Sequence, residues 1–96
     1  MPSAHIPTLF KAMRTGEPYR VRALLIFGNN PLVSIANSKE VYESLIKLDL
    51  LVVTDLFMTP TAAMADYVLP AAFWPEVDQV IAYPLVANNV VMAQQK

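Results

Sequence analysis

The chain has 96 residues, of which 55% are hydrophobic and 16% are charged, with a formal net charge of −1 and no cysteine. The near-neutral charge does not indicate nucleic acid or an anionic membrane as a partner, no stretch reaches the roughly 18 apolar residues that cross a bilayer, and the missing cysteine excludes disulfides and thiolate chemistry within the chain. Since the charged share lies below the roughly 25% of an average soluble domain, we expect one small domain that buries a core and also exposes apolar surface that a neighbour normally covers.

The chain opens with a predicted helix and a predicted strand. Residues 6–13 place apolar side chains at helical spacing, and glycine and proline punctuate the connector at residues 14–20. Residues 21–27 (VRALLIF) are almost continuously apolar, which is typical of a parallel strand covered on both faces. This strand is expected to end at residues 28–31, because glycine and asparagine tolerate positive φ and proline cannot continue a central strand.

A second helix and strand follow. Ser38 is the predicted N-cap of a helix that runs through Lys47. Residues 50–54 (LLVVT) form the second buried strand, so the two strands are expected to be parallel and joined by a right-handed crossover. The buried stripe of the helix is predicted to be Val41, Leu45 and Ile46.

The segment VVTDLFMTPTAAMADYVLP is the most informative part of the chain. An apolar strand ends at Asp55, and Thr59 is the predicted N-cap of a brief helix at residues 61–65. Asp66 is expected to cap or to form a local hydrogen bond before a third strand at residues 67–69. A strand end, an acid and a helix start together are typical of a nucleotide-binding corner in open α/β sheets.

The C-terminal part is predicted to be a loop followed by two strands. Residues 71–79 read as the loop, and residues 80–83 and 89–92 as strands with Pro84 between them. We expect one domain, made of a leading helix and connector, a βαβαβ core, and a loop with terminal strands, at residues 1–20, 21–70 and 71–96.

The candidate binding residues follow the first two strands. Ligands of parallel sheets lie beyond the carboxyl ends of the strands, and these ends carry Gly28 and Asn30 in one case and Thr54 and Asp55 in the other. A carboxylate can accept hydrogen bonds from ribose hydroxyls, and an asparagine side chain both donates and accepts. Backbone N–H groups after Gly28 and at residues 59–61 are candidates for a phosphate cradle. The pattern therefore indicates a nucleotide-bearing cofactor across adjacent strand ends.

Simpler interpretations remain open for the same residues. Gly-Asn-Asn-Pro is a common turn sequence, Asp55 is equally suited to capping the next turn, and Thr59 is first a helix cap. The sequence has no glycine-rich phosphate loop, no nucleophile beside a base and no pair of histidines. No catalytic residue and no metal ligand is therefore predicted.

Three stretches of the sequence carry a family resemblance. GNNP at residues 28–31, YESL at 42–45 and LDLLVVTDLFMTPTAAMADYVLPAAFWPE at 48–76 resemble the molybdopterin oxidoreductases. These dimethyl-sulfoxide-reductase-like enzymes carry a bis-(molybdopterin guanine dinucleotide) cofactor on molybdenum or tungsten. The resemblance extends over nearly the whole chain. It implies a small Rossmann-like three-layer α/β domain with a mostly parallel sheet that binds one pterin guanine dinucleotide.

The resemblance also implies roles for individual residues. Asn30, in the turn that begins at Gly28, and the pair Thr54 and Asp55 would lie at the guanosine end of the cofactor, where Asp55 would accept from the ribose or the guanine. The weaker candidates for cofactor binding are Thr59 and Thr61.

The sequence departs from the family in two respects. Family enzymes are several times longer and take their metal ligand, and often an iron–sulfur cluster, from segments that are not present here. Where members often have an acid closely followed by glycine, this chain reads Glu76-Val77-Asp78-Gln79. We therefore expect a domain of a larger oxidoreductase that does not catalyse alone, lacks bound cofactor when isolated, contacts the remaining domains of its parent and self-associates without them.

Two other interpretations compete with this expectation. A stand-alone interaction or regulatory domain would use the same fold without cofactor. A nucleotide-dependent dehydrogenase ranks third, because the glycine fingerprint is absent. Nothing in the sequence indicates a compartment.

Overall fold

The computed structural model describes residues 5–83 and 90–96. It is an α/β structure with a parallel three-stranded sheet, which confirms the predicted class. None of the helices in the described residues is long and apolar enough to cross a membrane. The elements in chain order are α1 (Ile6–Thr15), β1 (Ala23–Phe27), α2 (Pro31–Ser34), α3 (Ser38–Leu45), β2 (Leu50–Asp55), a 3-10 turn (Ala62–Met64), β3 (Tyr67–Pro70), a second 3-10 turn (Trp74–Glu76), β4 (Gln79–Tyr83) and β5 (Val90–Gln94).

The three parallel strands end together at one edge of the sheet. Their order is β1-β2-β3, with Phe27 opposite Thr54 and Thr54 opposite Leu69. Because all three run in the same direction, the residues that follow β1 and β2 come close to each other. This register creates the edge at which the sequence placed its candidate ligands.

The last two strands form a separate antiparallel hairpin, β4 with β5. The strand predicted at residues 80–83 is confirmed within β4. Of the strand predicted at residues 89–92, Val90 and the residues after it lie in β5, while Asn89 and the intervening Pro84 lie outside the described residues.

The hydrophobic core lies between one face of the sheet and the helices. Val53 in the central strand is fully buried, in a cluster that includes residues of α1 and α3. Ser44 is also fully buried, and its hydroxyl donates to the carbonyl of Phe10 at 3.1 Å, which ties α3 to α1. The buried hydrophobic residues of this core are Phe10, Met13, Ile26, Val41, Leu45, Leu51, Val53 and Ala62.

The opposite face of the sheet is exposed. Leu25 and Tyr67 flank Val52 in one row of the register and are 56% and 65% exposed, and Phe27 and Leu69 are exposed in the next row. Within the described residues, the sheet and the helices on one of its faces form two of the three predicted layers. The apolar strands were predicted to be covered on both faces, but helices cover only one.

Several predicted helix details are wrong. The N-cap of α3 is Asn37, with φ 62°, and its Oδ1 accepts the N–H of Glu40 at 3.4 Å, so Ser38 is the first helical residue. The helix ends at Leu45, and Ile46, predicted to be buried, is 53% exposed because Ser44 occupies the inward position. The helix predicted at residues 61–65 is a single 3-10 turn, and the four-residue α2 was not predicted.

An exposed ion pair fixes the connection between α3 and β2. Nε of Arg22 donates to Oδ2 of Asp49, and the backbone N–H of Asp49 donates to the carbonyl of Arg22 at 2.7 Å. The hydrogen bond from Arg22 holds the pKa of Asp49 below its usual value of 3.8, and the positive charges of Arg22 and Arg20 act in the same direction.

Candidate nucleotide-binding site

The end of β1 is a tight turn that places an asparagine side chain at the sheet edge. Gly28 has φ 56°, a left-handed conformation that favours glycine, and its N–H donates to the carbonyl of Thr54 at 2.9 Å. Asn30 then begins α2 without a capping bond from its side chain. Its amide oxygen Oδ1 instead accepts the hydroxyl of Thr61 at 2.6 Å.

The end of β2 presents a carboxylate beside this turn. Oδ1 of Asp55 accepts the backbone N–H of Leu56 at 2.7 Å and that of Phe57 at 3.5 Å. Oδ2 accepts the hydroxyl of Thr59 at 3.4 Å. The structure therefore shows Asp55 capping the turn after its strand. A carboxylate has about four acceptor positions, so this capping leaves capacity for a further donor.

The hydroxyl groups of Thr59 and Thr61 both form hydrogen bonds within the protein. The hydroxyl oxygen of Thr59 accepts the N–H of Ala62 at 3.2 Å, which is the capping role expected for it. The hydroxyl oxygen of Thr61 accepts the N–H of Leu32 at 3.2 Å while its proton goes to Asn30. Since Thr61 is fully buried, its hydroxyl does not reach the surface in this conformation.

The structure offers little support for a phosphate cradle at residues 59–61. The N–H of Thr59 donates to the carbonyl of Phe57 at 2.9 Å, and that of Ala62 is taken by Thr59. Pro60 has no N–H. Of residues 59–61, Thr61 alone keeps an N–H group without a hydrogen-bond partner among the described residues, so the predicted cradle there is reduced to that one group.

The six predicted site residues are brought together by the fold. Hydrogen bonds join Gly28 to Thr54, Asn30 to Thr61 and Asp55 to Thr59 across the ends of two neighbouring strands. Thr61 bonds Oδ1 of Asn30, and within the described residues no group hydrogen-bonds to its Nδ2. The edge thus offers an amide donor and a carboxylate acceptor, a combination that fits a sugar or a base edge.

This donor set does not itself form a metal centre. In the part of the chain that the structure describes, no three histidine, aspartate or glutamate side chains come together as metal ligands.

Sequence reasoning missed the contact that Asp66 makes. Its Oδ2 accepts the N–H of Leu51 at 2.7 Å, and its own N–H donates to the carbonyl of Leu51 at 2.9 Å. The expectation of a local bond is wrong, because Asp66 instead holds the start of β3 against β2. No short-range signal in the sequence indicates a partner 15 residues away.

Comparisons with known proteins agree with this architecture. A family model described as molybdopterin oxidoreductase matches residues 4–83. The acetylene hydratase of Syntrophotalea acetylenica is 45% identical over 73 residues, which are 76% of this chain and 10% of that protein. The F420-dependent formate dehydrogenase subunit alpha of Methanocaldococcus jannaschii is 52% identical over 58 residues, 60% of this chain and 9% of that one.

A solved structure extends the likeness to three dimensions. The acetylene hydratase from Pelobacter acetylenicus matches with a TM-score of 0.79 at 43% identity, covering 82% of this chain and 11% of that one. The chain therefore spans about a tenth of the length of the relatives that it matches.

Proposed function

The chain belongs to the molybdopterin oxidoreductase family, and from this premise we propose that it holds the guanosine end of a molybdopterin guanine dinucleotide in a molybdenum- or tungsten-dependent enzyme. One observation carries the proposal: the ends of β1 and β2 bring an amide and a carboxylate into one hydrogen-bonded edge. When bound, the cofactor supplies the metal centre of the parent enzyme. The residues of this chain bind and orient its tail.

Each residue of the edge has a proposed role. Asp55 accepts a hydrogen bond from a ribose hydroxyl or a guanine N–H group at its remaining acceptor position, and Nδ2 of Asn30 donates to an acceptor of the nucleoside. Gly28 allows the turn that brings Asn30 forward, and the carbonyl of Thr54 anchors that turn. Thr59 remains the weaker candidate for direct contact, because it already caps the 3-10 turn.

The proposed partners are the remaining domains of the parent enzyme. The relatives are about ten times longer than the matched segment, and the metal ligand and substrate pocket are proposed to lie in those other domains. The exposed face of the sheet is the proposed contact surface, because it is apolar and lacks cover within the described residues. The chain alone is then cofactor-free and inactive.

The substrate of the parent enzyme is proposed to be set outside this domain. The names of two relatives refer to acetylene and to formate, although both proteins align with this chain at 45% identity or more. A segment that holds the tail of a shared cofactor is expected to be similar in enzymes that act on different substrates.

A titration with guanosine diphosphate tests the binding role. We expect the amide NMR signals of Gly28, Asn30 and Asp55 to shift together, with weak affinity because most of the cofactor site is supplied by other domains. Asp55→Asn keeps an oxygen for the turn but removes the charge, and it should weaken binding by about tenfold, or about 1.4 kcal/mol. Glu43→Gln removes a charge on α3 and serves as the control. Equal binding by both variants would count against the proposal.

A second candidate function is a regulatory or interaction domain that has kept the fold without cofactor. It is favoured by the local bonding, because both carboxylate oxygens of Asp55 and the hydroxyl of Thr59 already have partners within the protein. The sequence of the gene on both sides discriminates between the two. An open reading frame that continues with cysteine clusters upstream supports the enzyme domain, and stop codons at both ends support the regulatory domain.

A further inference from the structure

We infer that Thr61 is a positioning residue that fixes the orientation of the Asn30 side chain, so that its NH₂ group, and not its oxygen, is presented at the strand ends. The expected effect on ligand binding rests on the proposed nucleoside site. The orientation of the Asn30 amide does not depend on that site and can be measured without any ligand. It replaces the role that the family resemblance implies for Thr61, namely direct contact with the cofactor.

The side chain of Thr61 is fully buried, so a bound nucleoside does not touch its hydroxyl unless the structure opens. The hydroxyl nevertheless has two partners, the backbone N–H of Leu32 at 3.2 Å and the side-chain oxygen of Asn30 at 2.6 Å. A buried hydroxyl with two partners acts through those partners.

The position of the single hydroxyl proton then determines the orientation of the amide. The N–H of Leu32 can only donate, so the oxygen of Thr61 accepts there and its one proton is free for Asn30. Only the carbonyl oxygen of an amide accepts a hydrogen bond, because the NH₂ group has no available lone pair. The Thr61 oxygen has a second acceptor position and could accept from Nδ2, but its buried proton would then have no acceptor, because Oδ1 of Asn30 is its one acceptor within the described residues. Oδ1 of Asn30 therefore faces Thr61, and Nδ2 faces the other way.

This orientation has a chemical consequence for the site. Asp55 already contributes only acceptor oxygens to the edge. If the Asn30 amide rotated by half a turn, its oxygen would add a further acceptor and the edge would lose its side-chain donor. Thr61 thus maintains a mixed donor and acceptor edge, and it removes the rotational freedom that Asn30 would otherwise lose on binding.

The first test uses the 96-residue chain without ligand. In the wild type, we expect the two side-chain NH₂ signals of Asn30 to be resolved from those of free asparagine, and the hydroxyl proton of Thr61 to show a nuclear Overhauser effect to Asn30. Thr61→Val has a similar shape but no hydroxyl, and it should move the Asn30 signals toward free values, whereas Thr61→Ser should retain them. If Thr61→Val does not fold, the hydroxyl-proton effect decides, and its absence overturns the inference.

The second test measures guanosine diphosphate binding and uses a matched buried hydroxyl as control. Ser44 on α3 is also fully buried, and its one hydroxyl proton is shared between the carbonyls of Phe10 at 3.1 Å and Glu40 at 2.7 Å, neither of which belongs to the predicted site. Thr61→Val should weaken binding roughly tenfold, or about 1.4 kcal/mol, while Ser44→Ala should destabilise the fold without changing the Asn30 signals or the affinity.

The outcomes separate the two claims. Unchanged Asn30 signals and affinity in Thr61→Val, with only a loss of stability like that of Ser44→Ala, would show a purely structural role and overturn the inference. If the wild type fails to bind guanosine diphosphate while Thr61→Val still moves the Asn30 signals toward free values, the positioning role is upheld and the proposed guanosine site is rejected.

Discussion

At the scale of single residues, two acids of one short segment have different tasks. The carboxylate of Asp66 binds the backbone of the neighbouring strand, since its Oδ2 accepts the N–H of Leu51. Asp55 uses its carboxylate on the turn that follows its own strand and keeps acceptor capacity at the sheet edge. The first acid helps to hold β3 against β2, and the second caps the turn at the proposed site.

Removing the Asp66 carboxylate should destabilise the fold. Asp66→Ala leaves the N–H of Leu51 without this acceptor in a part-buried position, which costs about 1–3 kcal/mol. Asp66→Asn retains an acceptor oxygen and should cost less. The midpoint of urea unfolding measures the loss. Asp78→Ala is the control, because Asp78 also accepts a backbone N–H, that of Lys96 at 2.7 Å, but at an exposed position. Equal midpoints for Asp66→Ala and Asp78→Ala would refute the assigned role.

The ion pair of Asp49 predicts a dependence on pH. The pKa of Asp49 is lowered in the folded protein, chiefly by the hydrogen bond from Arg22. Its contribution to stability is therefore present above the usual value of 3.8 and is lost as the pH falls from there through the lower folded pKa. Arg22→Gln should move the pKa toward 3.8 and reduce this acid-dependent contribution, leaving the part that comes from Arg20.

The carboxyl carbon shift of Asp49 against pH measures this change directly. Arg14→Gln is the matched control, because Arg14 pairs with Glu40 and leaves Asp49 untouched. The assignment fails if the two arginine variants give the same titration midpoint for Asp49.

At the scale of elements, the start of α3 depends on one asparagine in a left-handed conformation. Asn37→Ala places an ordinary side chain at φ 62° and removes the cap to Glu40, so it should cost about 1–2 kcal/mol. Asn37→Gly also removes the cap but suits the backbone, and should cost only a few tenths of a kcal/mol. Thermal unfolding of both variants checks this prediction, and equal losses would contradict it.

The same elements show what the sequence could predict. The strands were found because long apolar runs stop at Gly28 and Asp55, and these stops also located the ends that form the candidate site. The left-handed cap at Asn37 was missed because the adjacent Ser38 is an equally good cap by composition.

The pairing of the site residues lies beyond local patterns. The bond between Thr61 and Asn30 joins residues 31 positions apart, and it forms only after the sheet has brought the two strand ends together. Periodicity and capping rules describe neighbours along the chain, so they placed these residues at strand ends without indicating which of them contact each other. Whether the six residues bind a cofactor stays a prediction.

At the scale of the whole molecule, the two faces of the sheet differ. One face is buried beneath α1 and α3, with Val53 at its centre. The other presents Leu25, Val52 and Tyr67 side by side, because the parallel register aligns them in one row. Adjacent exposed apolar residues of this kind mark a surface that associates with another. In the parent enzyme we propose that other domains cover it.

In isolation, the chain should therefore associate with itself through this face. Sedimentation velocity should show a mean mass that rises with concentration. The double variant Leu25→Thr, Tyr67→Thr should shift the chain toward monomer, because threonine keeps strand propensity while the exposed apolar area falls. Both side chains are more than half exposed, so the urea midpoint should change little.

Val91→Thr, at a position 67% exposed in the hairpin, controls for a general loss of hydrophobicity and should leave association intact. A wild-type chain that stays monomeric at high concentration would show that this face alone does not drive association.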